Sequence, residues 1–470
     1  MKLVKSLLLG SAAGLAAVAG AQAADLPSKK AAPVEYVRVC SAHGAGFFYI
    51  PGSDTCIKIG GRVRFEYNYS PAFNRQSSPM GMRALGRFEL DARTSTEYGL
   101  LRAYTRVNFA RRTGSLYSGT QLRAGTAYTG TAYSYAGNAQ THIDIDRAFV
   151  QFGGLTAGRA VSFFGFYNGD LELIGTTAGD GTVTNLAAYT ATFGSGFSAT
   201  LSIEDPLERR NAYAYANGTS VGILSATTAG QYGGASMPDF VLALRADQSW
   251  GSAQLSGLLH QVRTAGVAAT AGQINGTAGA PASTDYGWAL NAGVKINLPM
   301  LAKGDAFYLQ GTYGQGASTT VLANPAGWGS AGNGVGRVSI LVPDAVITNA
   351  GQTSLVTTWG ITAAMLHYWA PTVRQGLFAS YIGSDIPAGA YVAAGGMATA
   401  NNLVSSQYWT VGTNVIWSPV RGLDIGAEVN YLQLNTDNAI NGNQAKYTSV
   451  GARYSEGSAV IGRIRIQRDF

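Results

Sequence analysis

Arginines recur at alternate positions in three neighbouring stretches of the chain, and acidic residues follow in a later segment. The six arginines are Arg62, Arg64, Arg87, Arg93, Arg102 and Arg106. The later acids are Asp170, Glu172 and Asp180. If the two sets face each other across a narrow water path, they create a transverse electric field that favours polar over apolar solutes.

A simpler interpretation of the arginines is a solvated basic surface. Glu66, Glu89 and Asp91 lie among them, and exposed ion pairs form readily at little cost in free energy. The residue types alone leave both interpretations open.

Spacings that resemble reactive sites lack the surroundings that such sites need. Gly218 to Gly222 fits G-x-S-x-G without the strand-to-helix context of a nucleophile elbow. Gly327 to Gly332 fits G-x-G-x-x-G, but no βαβ pattern surrounds it. We therefore predict no catalytic and no cofactor-binding residues. We also predict no metal site, because metal-ligand spacing is absent from the histidines, which are His43, His142, His260 and His367.

The arginines lie on segments with the two-residue period of β-strands. From Ile57 to Tyr69 the odd positions are mostly apolar and the even positions mostly polar or charged. The stretches from Ala84 to Arg93 and from Leu101 to Phe109 repeat this pattern. A soluble sandwich would bury the apolar face, whereas a membrane barrel would turn it toward lipid.

Composition and an export signal favour the membrane barrel. Charged residues make up 13% of the chain, against roughly a quarter in soluble domains. Residues 1–23 match a secretory signal peptide, with an apolar run from Leu7 to Gly20 followed by the cleavage site Ala21-Gln22-Ala23. No later segment reaches the roughly 18 uninterrupted apolar residues of a spanning helix, so insertion into a membrane would require a barrel.

The charge balance is uninformative about nucleic acid. Removal of the signal peptide takes away Lys2 and Lys5 and no acid, which lowers the formal charge from +7 to +5. Such a small excess on a long chain argues neither for nor against nucleic-acid binding. We predict no nucleic-acid partner.

The number of strands follows from the runs and from the parity of bacterial barrels. About seventeen runs have strand character, whereas bacterial single-chain barrels use an even number. We predict sixteen strands, with the run from Tyr447 to Arg453 belonging to the last long loop. Short turns alternate with long loops, and the last strand ends on Phe470.

The chain has two cysteines, Cys40 and Cys56. The oxidising compartment that export implies favours a disulfide between them. The alternative is two free buried thiols.

One segment, from Ala160 to Thr184, interrupts the series of strands. It is too long and too apolar for a hairpin loop, and its aromatic residues are Phe163, Phe164, Phe166 and Tyr167. We predict that this segment folds inward.

Four sequence stretches resemble the trimeric general-diffusion porins of Gram-negative outer membranes, most closely the alphaproteobacterial branch. These stretches are Asp25 to Cys40, Gly46 to Gly61, Phe149 to Arg159 and Gln467 to Phe470. The resemblance implies a homotrimer of all-β, transmembrane antiparallel barrels. It also implies that the third loop, Ala160 to Thr184, forms a constriction, and that the assembly machinery of the outer membrane recognises Phe470.

Together these observations predict a signal peptide at 1–23, a periplasmic or plug-like segment with a Cys loop at 24–56, and a barrel at 57–470. The expected function is passive diffusion of small hydrophilic solutes and ions without catalysis. The predicted partners are other copies of the chain, outer-membrane lipid, lipopolysaccharide and the assembly machinery. Two alternatives are a substrate-selective outer-membrane channel and, less favoured, an exported soluble β-rich binding protein.

Overall fold

The structure is a computed structural model of the 470-residue chain. It describes residues 38–71, 79–113, 140–179, 181–210, 214–215, 233–264, 282–321, 335, 342–347, 352–387, 404–441 and 453–470. The chain divides into two compact units, Met1–Cys56 and Ile57–Phe470.

In the first unit, the described residues are organised around a disulfide bond. Cys40 and Cys56 are joined, with their Cα atoms 6.0 Å apart, which confirms the predicted pairing. Both half-cystines are buried together with Phe47. The Arg38 guanidinium lies 4.8 Å from the centre of the Tyr49 ring.

The second unit is a closed antiparallel barrel of 16 strands, as predicted. The strands are β1 Cys56–Tyr69, β2 Met80–Thr96, β3 Gly99–Arg112, β4 Gln140–Phe152, β5 Leu155–Val161, β6 Val183–Gly194, β7 Phe197–Glu204, β8 Asp239–Gln248, β9 Gly251–Thr264, β10 Ser283–Asn297, β11 Ala306–Gln315, β12 Thr357–Ala370, β13 Val373–Asp385, β14 Ser406–Val420, β15 Leu423–Asn441 and β16 Arg453–Asp469. Consecutive strands pair, and β16 pairs with β1 to close the sheet.

Connections at the two ends of the barrel differ in length. Two-residue turns such as 97–98, 153–154 and 421–422 join strands at one end, whereas the connection 162–182 lies at the other. The run that we assigned to the last loop starts outside the described residues, at 447–452, and Arg453 is the first residue of β16.

The two faces of the sheet have opposite polarity. Val63 is 61% exposed, whereas the neighbouring Arg64 is 6% exposed. Apolar side chains on other strands, such as Leu255 and Ile464, are also exposed. Apolar residues therefore face outward and polar residues face the lumen, as in an outer-membrane barrel and unlike a soluble sandwich. No helix among the described residues is long and apolar enough to cross a membrane.

The first and last strands meet at a close backbone contact. The N–H group of Gly61 donates to the Phe470 carbonyl oxygen at 3.0 Å, and the Phe470 N–H donates back at 3.1 Å. A Cβ atom at position 61 would lie 2.5 Å from the Phe470 ring and 2.7 Å from the Arg87 carbonyl oxygen. Glycine is therefore needed where the barrel closes.

Candidate functional site: the lumen and its third loop

The segment 162–182, which connects β5 to β6, lies inside the barrel. The predicted range, Ala160 to Thr184, was too wide by two residues at each end. Ala160 pairs with Thr184, and Val161 pairs with Val183, so these four residues extend the strands. The connection is the third long one, and its contacts with the inner wall confirm that it folds inward.

Aromatic residues of this third loop fill apolar sites on the wall. Phe164 is fully buried against a cluster contributed by β8, β9, β10 and the segment after β11. Tyr167 is 1% exposed and packs with Ala364 of β12 and Phe378 of β13. Apolar burial therefore holds the first part of the loop.

Neutral polar side chains of the wall satisfy the loop backbone. Gln310 accepts the N–H groups of Phe166 and Tyr167 at 3.2 and 2.7 Å. Asn291 donates to the Phe164 carbonyl oxygen at 3.2 Å. Since water is excluded from these contacts, the side chains supply the partners that a buried backbone requires.

The tip of the loop, residues 170–175, is fixed by strands β14, β15 and β16. The Glu428 carboxylate accepts the N–H groups of Leu173 and Ile174 at 2.5 and 2.8 Å. Asn414 donates to the Leu171 carbonyl oxygen at 2.7 Å. Arg465 donates to the Leu173 carbonyl oxygen at 2.6 Å.

Past the tip, the loop remains attached to the wall as it returns. Ser380 accepts the Ala178 N–H at 2.9 Å, and Thr362 donates to the Ala178 carbonyl oxygen at 3.0 Å. The Gly179 N–H donates to the Val321 carbonyl oxygen at 3.1 Å. The loop is thus anchored along its length from β8 to β16.

Two lumenal cavities flank the loop tip, with volumes of about 540 and 320 Å³. Residues that line both cavities mark the passage between them. They are Arg62, Arg64, Asp170, Glu172, Leu173 and Arg465. Basic side chains of β1 and β16 and acidic side chains of the loop therefore line the same region.

The structure brings four of the six predicted arginines to the cavities and leaves two away from them. Arg62 and Arg64 line both cavities, and Arg87 and Arg106 line the larger one. Arg93 and Arg102 line neither. These two arginines share the Asp91 carboxylate, at 2.8 and 2.9 Å.

Each of these four predicted arginines at the cavities has a partner on an adjacent strand. Arg62 pairs with Asp469 at 2.6 Å, and Arg106 pairs with Asp146 at 2.5 Å. The other two donate to neutral groups: Gln467 accepts from Arg64, and Asn108 accepts from Arg87, both at 2.8 Å.

One buried carboxylate, that of Glu66 on β1, has four arginines within 4 Å. Arg465 and Arg83 lie 2.7 and 2.8 Å from its oxygens, and Arg64 and Arg463 lie at 3.6 Å. This cluster lies directly behind the passage, since Arg64 and Arg465 line it.

The predicted acids differ from each other in exposure. Asp170 is exposed to the lumen, whereas Glu172 is 9% exposed. Glu172 accepts the Thr176 N–H at 2.7 Å and the Thr177 hydroxyl. Burial, together with the nearby Glu428, raises the pKa of Glu172 to about 8 despite these hydrogen bonds. Asp180 lies outside the described residues.

Several residues of the site were missing from the predicted set. Arg463 and Arg465 occupy the polar face of β16, and Glu428 stands between Ala427 and Val429 on β15. The alternation pattern marks these residues as lumenal. It does not show that they meet a loop more than 250 positions away in the sequence.

The other sequence motifs have no defined place at this site. Gly218 to Gly222 and Gly327 to Gly332 lie outside the described residues. Among the residues that are described, Cys40, His43 and Cys56 are close enough together to hold a metal ion. The two sulfur atoms are joined in the disulfide, so they are not available as thiolate ligands.

A lumen lined by charges, enclosed by an outward apolar face and narrowed by an inserted loop, defines the class of outer-membrane channels. The family model "Porin subfamily" matches residues 25–459. The chain belongs to this porin family, and it is an outer-membrane porin that forms a channel for diffusion.

Known proteins with similar sequences or structures agree with this assignment. Porin Omp2b of Brucella canis is 30% identical over 398 residues, which cover 79% of this chain and 98% of the relative. Porin Omp2b of Brucella suis is 32% identical over 353 residues, which cover 69% and 88%. The crystal structure of the outer-membrane channel DcaP of Acinetobacter baumannii shares the fold, with a TM-score of 0.57 and 14% identity over 90% of this chain and 99% of that one.

Proposed function

We propose that the third loop and the arginine wall of β1 and β16 form the constriction through which small hydrophilic solutes and ions diffuse passively. The observation that carries this proposal is the set of charged residues shared by the two cavities, since Arg62, Arg64 and Arg465 of the wall and Asp170 of the loop line both. Fixed charges on opposite sides of a water path orient water and raise the free energy of apolar solutes.

Conductance through a planar bilayer tests this proposal. The folded full-length mature chain should give stepwise, ohmic openings. Asp170→Ala should raise the conductance of each opening, because the substitution removes the carboxylate that narrows the passage. Folded protein that inserts but does not conduct would refute the proposal.

Swelling of protein-loaded liposomes separates general diffusion from substrate selection. For general diffusion, uptake of uncharged sugars should fall smoothly with solute size. A sugar that enters much faster than others of its size would instead favour a substrate-selective channel.

We also propose that the chain has no catalytic activity, since the described lumenal groups are engaged in ion pairs and hydrogen bonds with one another.

We propose that the chain functions as a homotrimer in contact with outer-membrane lipid and lipopolysaccharide. The family assignment supports this proposal. Chemical crosslinking of the protein in native outer membranes should give a species three times the mass of the chain, and a species of single mass alone would contradict it.

We propose that the assembly machinery recognises Phe470, which is 69% exposed at the end of β16. Deletion of Phe470 should strongly lower the amount of protein inserted into the outer membrane of cells. It should lower the yield of spontaneous refolding in detergent by less. We further propose a signal peptide at 1–23 and a periplasmic or plug-like segment at 24–56. The amino-terminal sequence of the exported protein tests the cleavage site.

A further inference from the structure

Positive charge exceeds exposed negative charge at the passage between the two cavities. Arg62, Arg64 and Arg465 line both cavities from the wall side. Asp469 pairs with Arg62 at 2.6 Å and offsets its charge, so the excess comes from Arg64 and Arg465. Of the two loop acids that line both cavities, Asp170 is exposed and Glu172 is buried.

The residues behind the passage add to this excess. The Glu66 carboxylate is shared by four arginines, which are Arg64, Arg83, Arg463 and Arg465. Glu428 contributes a second carboxylate nearby, because it binds the amide of Leu173 while Arg463 and Arg465 bind the carbonyl of the same residue. Four guanidinium groups thus face two carboxylates.

The electric field of this excess positive charge extends into the lumen. The arginine cluster is buried in the wall, where the low dielectric constant weakens the screening of its charges. Walls of low polarity also focus the field of such charges into an adjoining water path. Anions in the passage therefore meet an attractive potential and cations a repulsive one.

We propose that this constriction favours small anions over cations, and that Glu172 weakens the preference only when it ionises. The inference rests on the proposed function and deepens it by specifying the class of solute. Arg64 and Arg465 act as selectivity residues because they line the passage, and Glu66 positions them.

The surroundings of Glu172 explain why it contributes little negative charge near neutral pH. Charged or titratable groups surround it from its own loop and from strands β1, β12, β13, β15 and β16. Tyr167 and Glu428 lie next to it. The groups that line the smaller cavity with it are Asp170, Arg62, Arg64, Tyr368, Arg374, Asp424, Arg465 and Asp469. Arg463 binds the carbonyl of the adjacent Leu173. Burial and the nearby Glu428 raise the pKa of Glu172 to about 8, so the proton leaves on moderate alkalisation.

The zero-current potential across a bilayer of neutral lipid, measured in a potassium chloride gradient at pH 6, tests the anion preference. The full-length mature protein should be more permeable to chloride than to potassium. Arg64→Gln should lower the chloride-to-potassium permeability ratio about two- to fourfold, the effect of one charge acting over several ångströms of water. Asp170→Asn should raise the ratio by a similar factor.

Arg93→Gln is the matched control, because it removes an arginine from the same polar face without changing either cavity. It should leave the ratio unchanged. Potassium preference at pH 6, or equal shifts for Arg64→Gln and Arg93→Gln, would overturn the inference. A protein that does not conduct would instead refute the proposed function.

A second measurement tests the contribution of Glu172. Between pH 6 and pH 9 the wild-type permeability ratio should fall about two- to fourfold, as one negative charge appears beside the passage. Glu172→Gln should remove this fall. A wild-type ratio that does not change with pH would overturn this part of the inference without any variant.

Discussion

The inner surface of the barrel has two sides that use polar residues differently. On the side of β9 to β14, neutral groups such as Gln310, Asn291 and Ser380 bind the backbone of the third loop. On the side of β1 to β4, charged groups such as Arg62 and Arg106 line a lumenal cavity. We call these the seated side and the arginine side.

The difference follows from the presence of water. On the seated side the loop excludes water, and neutral side chains supply the hydrogen bonds that the buried loop backbone requires at low cost in free energy. An ion there would lose its hydration. On the arginine side the charges keep contact with the lumen and with partner acids, so their field can act on solutes.

Strand β16 joins the two sides. Arg463 and Arg465 bind the loop backbone at Leu173 and also belong to the cluster around Glu66. The loop tip is therefore fixed in place by two arginines that also belong to the charged cluster of the wall.

Phe164→Ala should have the largest effect, because it removes a fully buried apolar anchor of the seated side. Deleting a fully buried aromatic side chain costs about 3 to 5 kcal/mol. The loop should leave the wall more often, with larger and noisier openings in single-channel recordings. Phe193→Ala is the control, since Phe193 is 69% exposed on the outer surface. Equal effects of the two substitutions would show that the loop does not depend on this anchor.

Glu428→Gln should have the next largest effect, because it weakens the acceptor of two loop N–H groups while preserving shape. A buried hydrogen bond that loses its charged acceptor costs about 1 to 3 kcal/mol. We expect brief closures or substates in single-channel recordings. The control is Glu456→Gln, at an exposed position of β16. Recordings indistinguishable from wild type would contradict the role assigned to Glu428.

The stability of the seated loop should depend on pH through Glu172. Its carboxyl binds a proton more tightly in the seated loop than in an exposed one, because the pKa is raised from 4.5 to about 8. The free energy that holds the loop should therefore be largest below about pH 4.5 and fall as pH rises to about 8. Hydrogen-exchange protection of the Thr176 amide, corrected for intrinsic rates, should fall over this range. Protection that rises with pH would reverse the assigned sign.

Arg93→Gln should have the smallest effect. Arg93 pairs with Asp91, which keeps Arg102 as a partner. A partly exposed pair contributes about 1 kcal/mol or less, and the side chain lines neither cavity flanking the loop. Both the conductance and the urea concentration at the midpoint of unfolding should stay close to wild type. A conductance change as large as that of Phe164→Ala would show that the arginine side extends further than the cavities indicate.

Much of the fold could be predicted from local sequence patterns. A two-residue period such as that of Val63, Arg64 and Phe65 fixes which side chains share a face, because successive side chains of a strand point in opposite directions. Because bacterial single-chain barrels have an even number of strands, the roughly seventeen candidate runs must include one that is not a separate strand. The inward loop could also be predicted, since its aromatic residues require burial.

The site could be predicted only in part. The pattern placed Arg62 and Arg102 on the same kind of face, but it did not show that one lines the passage and the other does not. That difference depends on where the loop tip meets the wall, and the tip position is set by contacts with β14, β15 and β16.

The sequence by itself determined the strands, their inward and outward faces, and the identity of the inserted loop, because each depends on residues close together in the chain. The tertiary structure decided which charges meet. Glu66 and Arg465 are far apart in sequence and pair only when β16 closes against β1. The burial of Glu172 likewise depends on a loop folded against distant strands, and desolvation is a property of the assembled environment.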